Sequence, residues 1–305
     1  MKRTSKFFLM GVWAAIIALV FSCAALGQDP SASGTPRPAS GSPAAVSDTV
    51  SVATFNIQVF GEKKADKPEV MKILARIIAN FDVVAIQEVR DDKEQAIKKL
   101  KQAVDALGRD YGVLLSPRLG RTTSKEQYAF LYRKDTLQPV GQPHLYQEPP
   151  GTDPFHRQPY VAEFKSKKGN FDFVLINIHT DPDEATEEIR ALKEALAYAR
   201  KKHPWQKDFI ILGDLNADCH YYDKTQPNPI PGTTWLLPLS ADTTVKSTPC
   251  TYDNIIVTDA CREDFTGEVQ VFRFDREYGL SNQESLKVSD HYPVWARFST
   301  NRDTD

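Results

Sequence analysis

Short apolar runs that end abruptly in polar residues recur along this chain. Val83-Val84-Ala85-Ile86 runs into Gln87-Glu88, Phe173-Val174-Leu175-Ile176-Asn177-Ile178 into His179, and Phe209-Ile210-Ile211-Leu212 into Gly213-Asp214-Leu215-Asn216. Being short and rich in Val, Ile and Phe, such runs predict buried strands rather than helices. The same reading places strands at 50–59, 81–87, 111–115, 128–133, 161–164, 171–179, 209–213, 254–258, 269–274 and 292–298, with a hairpin across Lys165–Asn170. Helical spacing appears in three stretches. In 68–78, Val70, Leu74, Ile77 and Ile78 share a face; in 93–107, Ile97, Leu100, Val104 and Leu107 do so, with Gly108 as a stop; in 184–201, Ile189, Leu192 and Leu196 turn inward and Pro204 closes the segment. More strands than helices, and hairpins beside crossovers, predict an α/β fold of two packed sheets covered by helices rather than one parallel sheet.

The polar ends change the picture. Glu88, His179 and Asp214 with Asn216 each terminate an apolar run, and Ser289-Asp290-His291-Tyr292-Pro293 leads into one. Any one of these is what a solvated turn after a strand would look like. Together they place carboxylates, imidazoles and amides at several strand ends that can converge on one sheet edge, which points to a catalytic site.

The chain ends bound the location. Met1–Lys6 is basic and Phe7–Phe21 almost wholly apolar, the two regions of an export signal. The stretch is short of the roughly 20 residues of a membrane-spanning helix. Residues 1–27 are therefore read as a signal peptide, cleaved after Ala25-Leu26-Gly27 or, as in a bacterial lipoprotein, before Cys23, against which the bulky Phe21 counts. Residues 28–47 are rich in Ser, Ala, Pro and Gly and are expected to form a flexible tether. A single folded domain is expected over 48–300, in an extracytoplasmic protein that is secreted, periplasmic or held to a membrane through Cys23. The net charge of −2 becomes more negative once Lys2, Arg3 and Lys6 leave, so no global basic field is available to hold nucleic acid. Cys219, Cys250 and Cys261 remain beyond the leader, without zinc-ligand spacing, and predict one disulfide and one further thiol.

The motifs extend further. Phe55-Asn56-Ile57-Gln58, Ile86-Gln87-Glu88-Val89-Arg90-Asp91, Leu119-Gly120-Arg121 with Lys125-Glu126-Gln127-Tyr128, Gly213-Asp214-Leu215-Asn216-Ala217-Asp218-Cys219, Ala241-Asp242-Thr243-Thr244, Cys250-Thr251-Tyr252-Asp253 and Tyr278-Gly279-Leu280-Ser281-Asn282 stand before Ser289-Asp290-His291. With them the chain resembles the deoxyribonuclease I branch of the endonuclease/exonuclease/phosphatase superfamily over 52–298. The resemblance implies a four-layer sandwich of two mainly antiparallel six-stranded sheets flanked by helices, and a monomeric, metal-dependent endonuclease acting on double-stranded DNA. Hydrolysis of a phosphodiester needs an activated water, neutralised phosphorane charge and a protonated or metal-bound leaving oxygen. By resemblance His291 pairs with Asp253 and acts as base, His179 pairs with Glu126 and acts as acid, and Asp214 and Asn216 face the scissile phosphate. Asn56, Glu88 and Asp290 would seat Mg²⁺ or Mn²⁺, a hard-oxygen donor set without Cys. Arg90 and Arg121 would enter the minor groove, Arg157 would touch a phosphate, and Cys219 would pair with Cys250.

Departures accompany the match. A calcium site near Asp153 has Gln158 where an acid is expected, and a second, at Asp242, Thr244 and Thr248, has Lys246 where a threonine ligand is expected, so Ca²⁺ binding is weakened at both. Ser124 stands where the resemblance leads one to expect a tyrosine that packs against a sugar. Two other readings compete: a lipid- or inositol-phosphate phosphoesterase of the same superfamily, and a catalytically silent DNA-binding module.

Overall fold

The structure is a computed structural model that describes residues 48–304. The leader, the tether and Cys23 lie outside the described residues. The described strands run in two sheets. The first is built from β1 (Thr49–Phe60), β2 (Val83–Val89), β3 (Tyr111–Leu115), β4 (Gln127–Arg133), β11 (Phe265–Val271) and β12 (Val294–Ser299), in the order β11-β12-β1-β2-β4-β3. The second is built from β5 (Leu137–Leu145), β6 (Tyr160–Ser166), β7 (Asp172–His179), β8 (Phe209–Asp214), β9 (Thr233–Trp235) and β10 (Asp253–Thr258), in the order β5-β6-β7-β8-β10-β9. Only β1 with β2 and β7 with β8 pair in parallel; the other ladders are antiparallel. The helices are α1 (Glu62–Ala65), α2 (Pro68–Ile78), α3 (Gln95–Asp105), α4 (Ala185–Lys202), α5 (Cys261–Asp264), α6 (Phe274–Tyr278) and α7 (Asn282–Val288). None of them is long and apolar enough to cross a membrane.

The period of two along each strand sorts side chains into three apolar layers. Val50, Val52, Val83, Ala85, Phe130, Leu175, Ile210, Leu212 and Ile255 fill the space between the sheets. Ala53, Phe55, Val84 and Ile86 face the other way, against Val70, Leu74 and Ile77 of α2 and Ile97 and Leu100 of α3. Val174, Ile176, Phe209 and Ile211 face Ile189, Leu192 and Leu196 of α4. The result is helix, sheet, sheet, helix, as the resemblance implies.

Several elements differ from the sequence reading. β5 is not among the strands expected from sequence: Pro139, Gly141 and Pro143 interrupt its pattern, yet it lies at a sheet edge, where proline is tolerated. The strand expected at 269–274 runs instead over Phe265–Val271, and Phe274 starts α6 with its ring buried. Helix α7 was missed, although Ser281 and Glu284 form a capping box at its start.

Candidate functional site

Following the period of two along the strands to their polar positions gives the site. On β1, Val50, Val52, Thr54 and Asn56 point between the sheets; on β8, Ile210, Leu212 and Asp214; on β10, Val257, Ile255 and Asp253; on β7, Leu175, Asn177 and His179. Glu126, immediately before β4, keeps the parity of Tyr128 and Phe130. The inter-sheet core thus turns polar at one end of the sandwich. The transition is hydrogen-bonded: Gln87 Nε2 donates to Asn177 Oδ1 at 2.7 Å and to Thr54 Oγ1 at 3.0 Å, and Asn177 Nδ2 donates to the Ile86 carbonyl at 3.2 Å. Above this layer opens a cleft of about 450 Å³ lined by Glu88, His179, Asp214, Asn216, Tyr252 and His291.

Backbone geometry shapes the cleft. Gly213 has φ 153°, and a Cβ there would lie 1.8 Å from the Ile178 carbonyl oxygen, so only glycine lets β8 approach β7 at this height. Val59, Glu88 and Asn216 all adopt positive φ, 49°, 62° and 48°. For a β-branched residue such as Val59 this is strained. The strained backbone points the Val59 N–H at Glu88 Oε2, 2.8 Å away, which fixes that carboxylate at the mouth of the cleft.

Two imidazole–carboxylate pairs converge on one acid. His179 Nδ1 lies 2.9 Å from Glu126 Oε1, and His291 Nδ1 lies 2.8 Å from Asp253 Oδ2. Their Nε2 atoms lie 3.5 and 3.6 Å from the same oxygen, Asp214 Oδ2. Asn56 Nδ2 donates to that oxygen at 2.9 Å, and the Asn216 N–H donates to Asp214 Oδ1 at 3.1 Å. Burial alone would lower the His291 pKa, but Asp253, Asp214 and Asp290 outweigh it and push it up to about 10. Burial pushes the Asp253 carboxyl up, against the pull of the His291 imidazole bonded to it. For His179 burial is again outweighed, here by Glu126 and against Arg157, and its pKa is raised. Glu126 is held down to about 2, because His179, Arg157 and Arg90 overcome its burial.

The remaining residues expected at the site divide into two groups. Arg157 is only 6 % exposed. Its Nε lies 2.7 Å from Glu126 Oε1 and donates to the His179 carbonyl at 2.9 Å, and its buried Nη2 has no partner. Arg90 lies over the cleft, 3.0 Å from Glu88 Oε2 and 3.6 Å from Glu126 Oε2. Arg121 is drawn aside, with Nε 2.8 Å from Asp153 Oδ2 and Nη1 2.5 Å from Glu184 Oε2. The segment with Asp242, Thr244 and Thr248 is bonded within itself: Thr244 N–H donates to Asp242 Oδ1 at 3.0 Å, and Thr244 Oγ1 lies 2.8 Å from the Thr248 carbonyl. Gln158 donates to Glu148 at 2.9 Å. Cys219 and Cys250 form a disulfide beside the cleft, and Cys261 is buried elsewhere, under β10.

The donor chemistry at Asn56, Glu88 and Asp290 fits a hard cation. Both neighbours of the Asn56 amide are carboxylates, Glu88 Oε1 at 3.2 Å and Asp214 Oδ2 at 2.9 Å, so its nitrogen must face them. That leaves Asn56 Oδ1 buried without a partner, and Asp290 Oδ1 likewise. Unpaired buried oxygens beside carboxylates are what an oxygen-liganded divalent ion would satisfy. Asp214, Asp253 and His291 also bring ligand atoms within 4.8 Å of one another, with His291 Nδ1 and Asp253 Oδ2 engaged in their mutual bond.

Some contributors were not visible in sequence. Tyr128 accepts the His179 N–H at 2.9 Å through its hydroxyl, and Ser289 Oγ donates to the Asn56 carbonyl at 2.6 Å. Gln87 and Asn177 could have been found, since each is an amide inside an otherwise apolar run.

Known proteins offer a comparison for this arrangement. A model of the Endonuclease/Exonuclease/phosphatase family matches residues 53–291. Deoxyribonuclease-1 of Oryctolagus cuniculus is 38% identical over 261 residues, covering 82% of this chain and 92% of that protein. Deoxyribonuclease-1 of Bos taurus is 37% identical over 262 residues, covering 81% and 91%. Among solved structures, an endonuclease/exonuclease/phosphatase family protein from Bacteroides thetaiotaomicron has a TM-score of 0.52 at 18% identity, covering 82% of this chain and 97% of that one. TDP2 of D. rerio complexed with single-strand DNA product has a TM-score of 0.55 at 15% identity, covering 83% and 100%, and shares the fold.

Proposed function

We propose that this chain, which belongs to the Endonuclease/Exonuclease/phosphatase family as a deoxyribonuclease I-like member, is an exported, metal-dependent endonuclease that hydrolyses double-stranded DNA with little sequence preference. The observation that carries the reading is the convergence of two His–carboxylate pairs on Asp214 Oδ2.

Both rings bring Nε2 to that oxygen. A scissile phosphate seated against Asn216 would meet His291 on the side of the attacking water and His179 on the side of the leaving oxygen. His291 takes the water proton on Nε2, with Asp253 holding Nδ1–H and stabilising the imidazolium; His179 returns a proton from Nε2 to the leaving oxygen, held by Glu126 in the same way. Arg157 has its Nε committed to Glu126 and the His179 carbonyl, so it positions the acid as well as offering a buried N–H toward phosphate. Asn56, Glu88 and Asp290 would hold Mg²⁺ or Mn²⁺, which would supply Lewis-acid charge to the phosphate and oppose the carboxylate field that raises the His291 pKa, favouring the neutral imidazole a base needs. Ca²⁺ at Asp242, Thr244 and Thr248 is opposed by the neighbouring Lys246.

The test is plasmid nicking with Mg²⁺ and with excess EDTA, beside a panel of sphingomyelin and inositol phosphates. Supercoiled DNA is expected to be nicked only with the metal, and Glu88→Gln to lose about a hundredfold or more of the rate. Hydrolysis of a lipid or inositol phosphate without DNA cleavage would establish the phosphoesterase reading instead, and full activity in EDTA would remove the metal.

Minor-groove contact by Arg90 and Arg121 gives little sequence preference, because that groove displays a degenerate pattern. Arg90 Nη1 lies 3.2 Å from Ser124 Oγ, so the loop with the serine adjoins the guanidinium. Ser124→Tyr adds a rigid apolar surface there and is expected to lower KM for duplex DNA roughly two- to tenfold with kcat unchanged, since such a contact serves ground and transition states alike. An unchanged or higher KM would mean that DNA does not pass over this loop.

A further inference from the structure

We infer that Lys246 is a resident cation of the site: its ammonium competes with the divalent ion for Asp290 and so sets the metal concentration at which the protein loads, an inference that rests on the metal seat proposed above. Lys246 Nζ lies 2.7 Å from Asp290 Oδ2. The contact is not the chance reach of a long loop. The Val245 N–H donates to the Asp290 carbonyl at 2.8 Å, the Tyr292 N–H donates to the Thr243 carbonyl at 2.7 Å, and Thr244 bridges His291. The lysine therefore springs from backbone bonded to the segment that carries Asp290 and His291.

The two partners differ in what they lose on separation. The Lys246 side chain is 64% exposed and that of Asp290 8%. A displaced ammonium returns to water, whereas a carboxylate left alone would keep one buried oxygen with no partner and gain a second. Asp290 is thus always better off with a cation, and the competing cations near it are identifiable. His291 Nε2 is 3.8 Å from Oδ1, and Lys64 bonds to the Val288 carbonyl at 2.9 Å. Lys246 holds Oδ2 within hydrogen-bond distance. A divalent ion on Asp290 would meet the ammonium at a distance where like charges repel strongly, so loading must break this ion pair. Exposure of the lysine keeps that barrier small, on the scale of a surface ion pair rather than a buried one. Once displaced, the ammonium remains at the rim of the cleft that Glu88, Asp214 and His291 line, where a DNA phosphate can pair with it.

Calorimetric titration of Mn²⁺ into the DNA-free protein tests this without relying on activity, using the wild type, Lys246→Gln, Lys246→Arg and Glu88→Gln. Lys246→Gln is expected to bind Mn²⁺ roughly two- to fivefold more tightly than the wild type, the range set by a surface ion pair. Lys246→Arg keeps the charge and should return to wild-type affinity, and Glu88→Gln should bind more weakly than the wild type. Affinity of Lys246→Gln equal to or weaker than wild type overturns the inference and leaves the metal seat standing. A wild-type protein that takes up no Mn²⁺ removes the seat, and the inference with it.

Discussion

His179→Ala and His291→Asn are each expected to lower kcat for plasmid nicking by about a hundredfold or more, the contribution of a positioned acid or base. The two substitutions should differ in stability. Removing the His179 ring leaves Glu126 with Arg157 at 2.7 Å and Arg90 at 3.6 Å, so the buried carboxylate keeps cationic partners and the fold should hold. Removing the His291 ring takes away the ion partner of Asp253, which is wholly buried and whose Oδ1 already lacks a hydrogen bond. His291→Ala should therefore lose stability as well as activity, seen as a lower Tm than His291→Asn, whose amide nitrogen takes the place of Nδ1 and can still donate to Asp253. Because the rings act on the same phosphate through the same pocket, the double variant should fall well short of the product of the single losses. Near-wild-type kcat in either single variant would refute the assignment of acid and base, whatever the Tm.

Why this site could be read from sequence, and where it could not, follows from strand geometry. His179 and Asp214 end their strands, Asp253 begins one and Asn56 lies within β1, each in register with the inward-facing apolar residues of its strand, so alternation announces both the strand and the direction of its polar group. Glu88 breaks the alternation of β2, and its positive φ is what turns it into the cleft; only its position after an apolar run and the resemblance identified it. Side-chain partners are a different matter. Arg157 was read as a phosphate contact, but its Nε commitment to Glu126 and the His179 carbonyl depends on three segments meeting, which no local pattern reports. The same holds for Lys246, visible in sequence as an odd residue near a calcium loop and in the structure as the partner of Asp290. Edge strand β5 and the short helices α6 and α7 escaped for the opposite reason. Prolines and a glycine interrupt β5, and α6 and α7 are too short to show a helical period even behind the Ser281–Glu284 capping box, so packing on Phe274 and Val288 holds these helices in place.

Replacing Cys219 and Cys250 together by alanine is expected to cost about 3–4 kcal/mol of unfolding free energy, the chain-entropy value for a cross-link spanning 31 positions. The segment so closed is poor in regular structure, with β9 its single strand among the described residues, so the reduced chain has much freedom to regain. In the folded state the bridge stands next to groups that hold the site by other means. Asp218 Oδ2 accepts the Thr251 N–H at 2.8 Å, the Leu215 N–H donates to the Tyr252 carbonyl at 3.0 Å, and β8 pairs with β10 through Asp214 and Asp253. Those bonds keep Asp214 and Asp253 in register without the sulfurs. Urea denaturation should accordingly show a lower midpoint for the double variant, while kcat measured far below its unfolding transition stays within about tenfold of wild type. A stability loss below about 1 kcal/mol combined with a large fall in kcat would invert the argument: the bridge would then act on the geometry of the cleft, not on the freedom of the unfolded chain.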